Sequence, residues 1–291
     1  MENTASTIPR RVLLAILLAF IFNGFFILTA RYRLSYDAFT HMFFADHYAR
    51  DWFSLWDTRW FGGFEVISYP PLVHQLIALL SRVIGIDAAY AAIQWIVVTT
   101  YPLAVYVFSR IFFGRSVSSY AALGTTFLSS LYYAAYAFGQ LPTLTATLFA
   151  LFGLAALADF LRSGNILRCM LAIALMIVTM ASHHATLLFL PWPAMAVIIH
   201  IFLNQKVNKP AFFRRLCLFL IFSIIGGLIV IWPFWLWGTT QKIQTPIDHL
   251  SRHNFFKDPM AFLAFFLPMY GGLTVLFPFV LWKGFNLRYL G

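Results

Sequence analysis

Eight runs of about 20 mainly apolar residues recur along the chain, at 11–30, 88–109, 117–137, 142–161, 166–182, 185–203, 216–237 and 260–282. A helix of that length crosses a hydrocarbon layer of about 30 Å. The apolar/polar alternation of a membrane barrel is absent, so the spans are predicted as helices, which satisfy their own backbone hydrogen bonds. With 61% hydrophobic and 10% charged residues, the chain lies outside the range of soluble domains, which are roughly 45–50% apolar. The expected fold is an all-α polytopic membrane protein, one membrane domain over residues 1–291.

A net charge of +10 would point to nucleic acid in a soluble protein. Here Lys and Arg sit mostly in short connections between spans and form no basic stripe interleaved with aromatics, so no nucleic-acid partner is expected. Cys169 and Cys217 make neither a disulfide framework nor a CxxC metal site. Arg10 and Arg11 precede the first run without a small-x-small cleavage site, which reads as an uncleaved signal anchor.

Orientation turns on "YPPLVHQLIALLSRVIG", residues 69–85, which is barely long enough to cross. If it does not cross and the N-terminus is cytoplasmic, 12 of the 20 basic residues fall inside, all in short connections or end segments. If it crosses, only 6 do. The positive-inside bias selects the first arrangement: eight spans, both termini cytoplasmic, and 69–85 a juxtamembrane helix on the outer face. Eight of ten acidic residues and seven of eight histidines then also lie outside, His200 being the excepted histidine. They gather in a first outer loop, 31–87, a second, 238–259, and the outer ends of spans.

In the first loop, "SYDAFTHMFFADHYARDW" sets Asp37 and His41 four residues apart, on one face of a predicted helix. Such a pair can hold a divalent cation, serve as a base with its orienting partner, or simply stabilise the helix. Asp46 and Arg50 read as a plain ion pair, and His47 as solvated. "FSLWDTRWFGGFEVISYPPL" follows. Trp56, Trp60, Phe61 and Phe64 suit a membrane interface, Gly62-Gly63 a turn, and Pro70-Pro71 the start of a helix. Asp57 and Arg59 are a local ion pair or a binding site, with Arg59 able to pair a phosphate. "MASHHATLL" places His183 and His184 at an outer helix junction, pointing different ways. Asp248, His249, Arg252, His253 and Lys257 make the second loop a lid or a solvated connector. Asp159 beside Arg162 reads as structural, and Tyr132, Tyr133 and Tyr136 as interfacial aromatics.

The order of these features resembles the GT-C class of membrane glycosyltransferases. The similarity is closest to bacterial membrane proteins labelled "6-pyruvoyl-tetrahydropterin synthase-related". It rests on the outer-loop Asp37 with His41, on "WDTRWFGGF", on "YPPL" opening a juxtamembrane helix, and on the later "SHH". It is strongest over 31–86. A soluble pterin synthase is excluded, because no water-soluble domain is present. The resemblance implies inverting transfer of a sugar from a polyprenyl-phosphate carrier at the outer face of a bacterial cytoplasmic membrane. In it, Asp37 deprotonates the acceptor or holds a divalent cation, magnesium or manganese, and His41 supports it. Asp57, Arg59, His183, His184 and Arg252 are added as substrate-binding candidates, the cations and histidines to neutralise the leaving phosphate. Such enzymes usually have more spans, so a truncated form, or a partner subunit completing the chain, is an accompanying expectation. Two other readings stay open: a non-catalytic GT-C-like subunit of a larger complex, and a transporter, which the nearly charge-free mid-span regions disfavour. Membrane lipids surround the chain in every case.

Overall fold

The computed structural model describes residues 7–59, 62–204, 208–240 and 259–260. Its helices are α1 (Arg10–Leu28), α2 (Ala38–Arg50), α3 (Leu72–Ile84), α4 (Ile86–Ser109), α5 (Arg115–Thr125), α6 (Ser129–Tyr132), α7 (Leu141–Ser163), α8 (Ile166–Ser182), α9 (Pro191–Asn204) and α10 (Lys209–Thr240). A two-residue hairpin, β1 (Trp56–Asp57) and β2 (Phe64–Glu65), pairs Trp56 with Glu65 and Asp57 with Phe64. Gly62 and Gly63 make its turn at φ 78° and 118°, as the Gly-Gly pair led us to expect.

Among the described residues, four helices are long and apolar enough to cross a membrane: α1, α4, α7 and the Lys209–Trp232 part of α10. α3 has 13 residues, about 20 Å at the helical rise, shorter than a hydrocarbon core of about 30 Å and in keeping with a juxtamembrane helix. Pro71 stands at its N-cap, as expected of "YPPL". The run at 117–137 is not one helix. α5 stops at Thr125, a four-residue α6 follows, and Tyr133–Ala137 form a π turn closed by Phe138 N–H to the Tyr133 carbonyl. Polar side chains in this run bond across to α1 and, once, back onto a carbonyl of the run itself. Thr126 Oγ1 donates to Ala15 O of α1 at 3.1 Å and Tyr132 Oη to Thr126 O at 2.9 Å. Tyr136 Oη donates to Asn23 Oδ1 at 2.8 Å, so Tyr132 and Tyr136 fasten this break rather than float at an interface. The run at 185–203 opens as a 3-10 turn, His184–Leu188, before α9. The run at 260–282 lies outside the described residues beyond Met260.

α7 is the central helix: 72% of its most apolar stretch is buried, against 22–39% for the other three. Its small residues Ala146, Ala150, Gly153, Ala155 and Ala156 allow neighbours to approach closely, and a Cβ at Gly153 would come within 2.8 Å of Met176 Cε. α1 turns Leu13, Leu17, Ile21 and Phe25 outward, a face suited to hydrocarbon.

The bundle is polarised end to end. Nine of the 14 described Lys and Arg sit where α1 and α10 begin, α4 ends, α5 begins, and α7 meets α8, with Asp159 as the one described carboxylate among them. The other six described carboxylates and five of six described histidines lie at the opposite end. His200 packs edge-on against Phe112 at the arginine end, 4.9 Å between ring centres. Asp159 lies 4.0 Å from Arg162, the structural role expected of it.

Candidate functional site

The histidine end is built by one close approach of backbone. Ala30, at φ 55°, ends α1 and turns the chain into a short 3-10 helix, Arg31–Leu34. Residues 36–38 then run beside 137–139: Tyr36 N–H donates to Ala137 O at 2.9 Å and Asp37 N–H to Phe138 O at 3.0 Å. Gly139, at φ 70°, sits so close that an added Cβ would lie 2.8 Å from Ala38 N and 2.7 Å from Ser35 Oγ. Only glycine meets both demands. Asp37 occupies the N-cap of α2, but its carboxylate does not cap the helix. It accepts instead from Gln140 Nε2 at 2.7 Å, at the start of α7.

From there a polar chain crosses to α8. Thr143 Oγ1 donates to Gln140 Oε1 at 3.1 Å and lies 3.4 Å from His183 Nδ1, which is 3.0 Å from Thr186 Oγ1. The carboxylate can only accept, so Gln140 must face it with its amide N–H and offer its oxygen to Thr143. Thr143 then spends its proton on Gln140, and the shorter contact of His183 Nδ1 is with the Thr186 hydroxyl, which can give or take a proton. Burial pushes the His183 imidazole down to about 4, with neighbouring His184 adding to the shift, so it stays neutral at pH 7.

His41 is fully buried and its Nδ1 is 3.0 Å from His74 Nε2 of α3. His41 Nε2 is buried without a hydrogen-bond partner. Burial, then His74 and His183, hold His41 well below the ordinary imidazole range. Burial also takes His74 to about 4, partly offset by the Pro70 carbonyl. Tyr69 stands between the two histidine groups, edge-on to His41 at 5.0 Å and stacked on His183 at 6.0 Å between ring centres. The pairing expected from sequence, Asp37 with His41, is therefore replaced by Asp37 with Gln140 and His41 with His74. His184 joins the group by stacking on His183 at 5.9 Å with an interplanar angle of 26°, rather than pointing elsewhere. Extended His183, followed at once by a 3-10 turn, lays the two rings side by side. His184 Nδ1 is buried without a hydrogen-bond partner, and burial lowers its pKa as well.

Asp57 and Arg59 form a second cluster, centred on His47, six residues and about 9 Å along α2 from His41. Arg59 Nε donates to Asp57 Oδ1 and Oδ2 at 3.0 and 3.1 Å, and the Arg59 N–H to Oδ1 at 2.9 Å. The guanidinium also pairs closely with Asp46 and lies over Phe43, 4.4 Å from the ring centre. Arg59 takes Asp57 down to about 2. His47 is buried rather than solvated: Nδ1 faces Asp57 Oδ2 at 3.1 Å and Nε2 faces Ser54 O at 2.7 Å. Both partners are acceptors, so either ring nitrogen has a partner for its proton. Asp46 and Arg50 form the expected ion pair at 2.9 Å. Arg59 is thus balanced by two carboxylates, and this cluster clamps the hairpin to α2.

Four of the seven residues proposed from sequence, Asp37, His41, His183 and His184, meet at one place. Asp57 and Arg59 do not join them, and Arg252 lies outside the described residues. Tyr69, His74, Gln140 and Thr143 complete the group; only neutral polarity marks them, buried in His74 and half-buried in the other three, a signal that charge counting passes over. Among the described residues no three His, Cys, Asp or Glu side chains are close enough to hold a metal ion. His41 turns Nδ1 to His74 and Asp37 accepts from Gln140, while His41 Nε2 keeps no partner. No protein-family model and no curated protein matches the chain.

The depressed histidines predict a pH response. The unfolded chain takes up protons below about pH 6.5, its ordinary imidazole value, while the fold resists until about pH 4. Stability is therefore present above pH 6.5 and lost between 6.5 and 4, by on the order of 3 kcal/mol for a fully buried group such as His74. Melting of the detergent-solubilised protein is expected to fall steeply across that window, and His74→Gln to flatten the fall. Equal slopes for the two proteins would refute the assignment.

Proposed function

We propose that this chain is a membrane glycosyltransferase of GT-C type. It moves a sugar from a polyprenyl-phosphate carrier to an acceptor hydroxyl at the extracytoplasmic face of a bacterial cytoplasmic membrane, within an eight-span arrangement with both termini cytoplasmic. The observation that carries the reading is the meeting of half-exposed Asp37 with His183 through Gln140 and Thr143, at the end of the bundle opposite the arginines. By the positive-inside bias, that arginine end is cytoplasmic.

In this reading the acceptor oxygen attacks the anomeric carbon as its bond to the carrier phosphate breaks, with inversion, and Asp37 takes the acceptor proton. Gln140 fixes the carboxylate, and the neutral His183 ring hydrogen-bonds a substrate hydroxyl. The leaving phosphate needs a cation. Arg59 is already balanced, which leaves Arg252 of the second loop as the residue to test first. Apolar grooves of about 680 Å³ between α3, α4 and α7, and about 600 Å³ between α7, α8, α9 and α10, offer room for the carrier's hydrocarbon. Asp37→Asn is expected to reduce transfer of labelled sugar from polyprenyl phosphate at least 100-fold with little change in melting temperature. Activity near wild type would overturn the base assignment.

The balanced Arg59 favours a second reading, a non-catalytic subunit of a larger membrane complex. A wild-type protein that transfers nothing from any polyprenyl-linked sugar, but purifies with a stoichiometric membrane partner, would establish it instead.

A further inference from the structure

At the arginine end, α4, α7 and α8 leave a cleft of about 310 Å³, independent of the site above. Phe152, Ala155, Leu171 and Leu175 are among its walls, and Asp159 and Arg168 stand at its mouth. Polarity runs one way along it. Phe152 lies seven residues along α7 from Asp159, and Leu175 seven along α8 from Arg168, so the apolar part reaches about 10 Å from the charged mouth toward the bundle centre.

This end of the bundle is strongly basic, although the cleft itself is lined by one charge of each sign. Asp159 is the one described carboxylate at this end, and it lies 4.0 Å from both Arg162 and Arg168, at the outer limit of ion pairing. The other arginines nearby are engaged in the fold. Arg162 Nη2 donates to Ile111 O at 3.1 Å, and Arg215 Nη1 donates to Leu161 O and Arg162 O at 2.8 and 3.1 Å, capping the end of α7. Arg168 is half-exposed and lines the cleft, its Nε 4.0 Å from Asp159 Oδ2.

A cation at the end of a membrane helix, with an apolar slot running inward from it, matches a phospholipid in both charge and direction. We propose that this cleft binds an anionic glycerophospholipid, with its phosphodiester at Arg168 and one acyl chain between α7 and α8. Free phosphate would satisfy the arginine but leave the slot unused. A zwitterionic lipid would bring a cation of its own to an end already rich in them.

The test is native mass spectrometry and thermal melting of the purified full chain in detergent. Dioleoyl-phosphatidylglycerol, dioleoyl-phosphatidylcholine or glycerol phosphate is added to wild type, Arg168→Gln, Leu171→Trp and Arg10→Gln. Phosphatidylglycerol is expected to remain as a bound adduct and raise the melting temperature, phosphatidylcholine much less, and glycerol phosphate not at all. Arg168→Gln and Leu171→Trp, one removing the charge and one filling the slot, are each expected to weaken phosphatidylglycerol binding at least five-fold. Arg10→Gln, an equal charge change elsewhere at the same end, should leave it within two-fold. Equal binding of the two lipids, full stabilisation by glycerol phosphate, or equal losses in all three variants would overturn the proposal. Because sugar transfer is not measured, these results are separate from the fate of the transferase reading.

Discussion

Gly139→Ala is expected to disorganise the candidate site and lower the melting temperature by ten degrees or more. Two costs add. A non-glycine residue at φ 70° pays about 1 kcal/mol for the left-handed conformation. The new Cβ would also stand 2.8 Å from Ala38 N and 3.1 Å from Asp37 N, backbone atoms that cannot swing aside as a side chain would. Residues 35–38 must therefore separate from 137–139. That strains the Tyr36–Ala137 and Asp37–Phe138 hydrogen bonds, each worth about 1 kcal/mol or more when its groups are left unpaired. It also draws Asp37 away from Gln140, so any activity that depends on the carboxylate falls with it. Gly124→Ala is the control: Gly124 is helical, and an added Cβ would meet nothing within 4 Å. Alanine there is expected to be neutral or stabilising, by up to about 1 kcal/mol. Melting curves of the two variants decide the matter, and similar behaviour would show that the close approach is not rigid.

The contrast between these glycines marks where the sequence was legible. α1, α4 and α7 fall within two residues of their apolar runs, because a long uninterrupted run leaves the backbone no partner but itself. The run at 117–137 is less apolar than these, with four Ser, two Thr and four Tyr in 21 residues. What breaks it is Thr126 reaching Ala15, Tyr132 reaching Thr126, and Tyr136 reaching Asn23, contacts across up to 113 positions that no local pattern announces. The site divides in the same way. Asp37, His41, His183 and His184 stood out as ionisable groups in an apolar chain, and the charge asymmetry sent all of them to one end. Their actual partners, Gln140, Thr143, His74 and Tyr69, come from the starts of α3 and α7. They were invisible as a group because neutral polar residues at helix ends are ordinary until the fold brings them together. Arg59 shows the opposite error. A lone cation beside an aromatic stretch invites a phosphate, but the sequence does not reveal that Asp46, 13 residues earlier, and buried Asp57 already hold it.

That burial makes Asp57→Ala the most destructive single change to stability expected among the described carboxylates. The Asp57 side chain is 1% exposed and receives Arg59 Nε, the Arg59 backbone N–H and His47 Nδ1. Without it the buried His47 Nδ1 loses its partner, and Arg59 keeps only Asp46, whose side chain is 36% exposed. Removing one member of a buried charged group costs about 3 kcal/mol or more, because the remaining charges stay desolvated and unpaired. Breaking an exposed pair costs about 1 kcal/mol or less. Asp46→Ala should therefore be mild where Asp57→Ala is severe, although both carboxylates touch the same guanidinium. Asp57→Asn should fall between them, since Oδ1 can still accept from Arg59 while the charge is lost. The order of melting temperatures expected is wild type, Asp46→Ala, Asp57→Asn, Asp57→Ala. If Asp46→Ala proved as damaging as Asp57→Ala, the weight of the clamp would lie at the surface. Arg59 would then be free enough to return as a phosphate ligand, and the case for a cation supplied by the second loop would weaken.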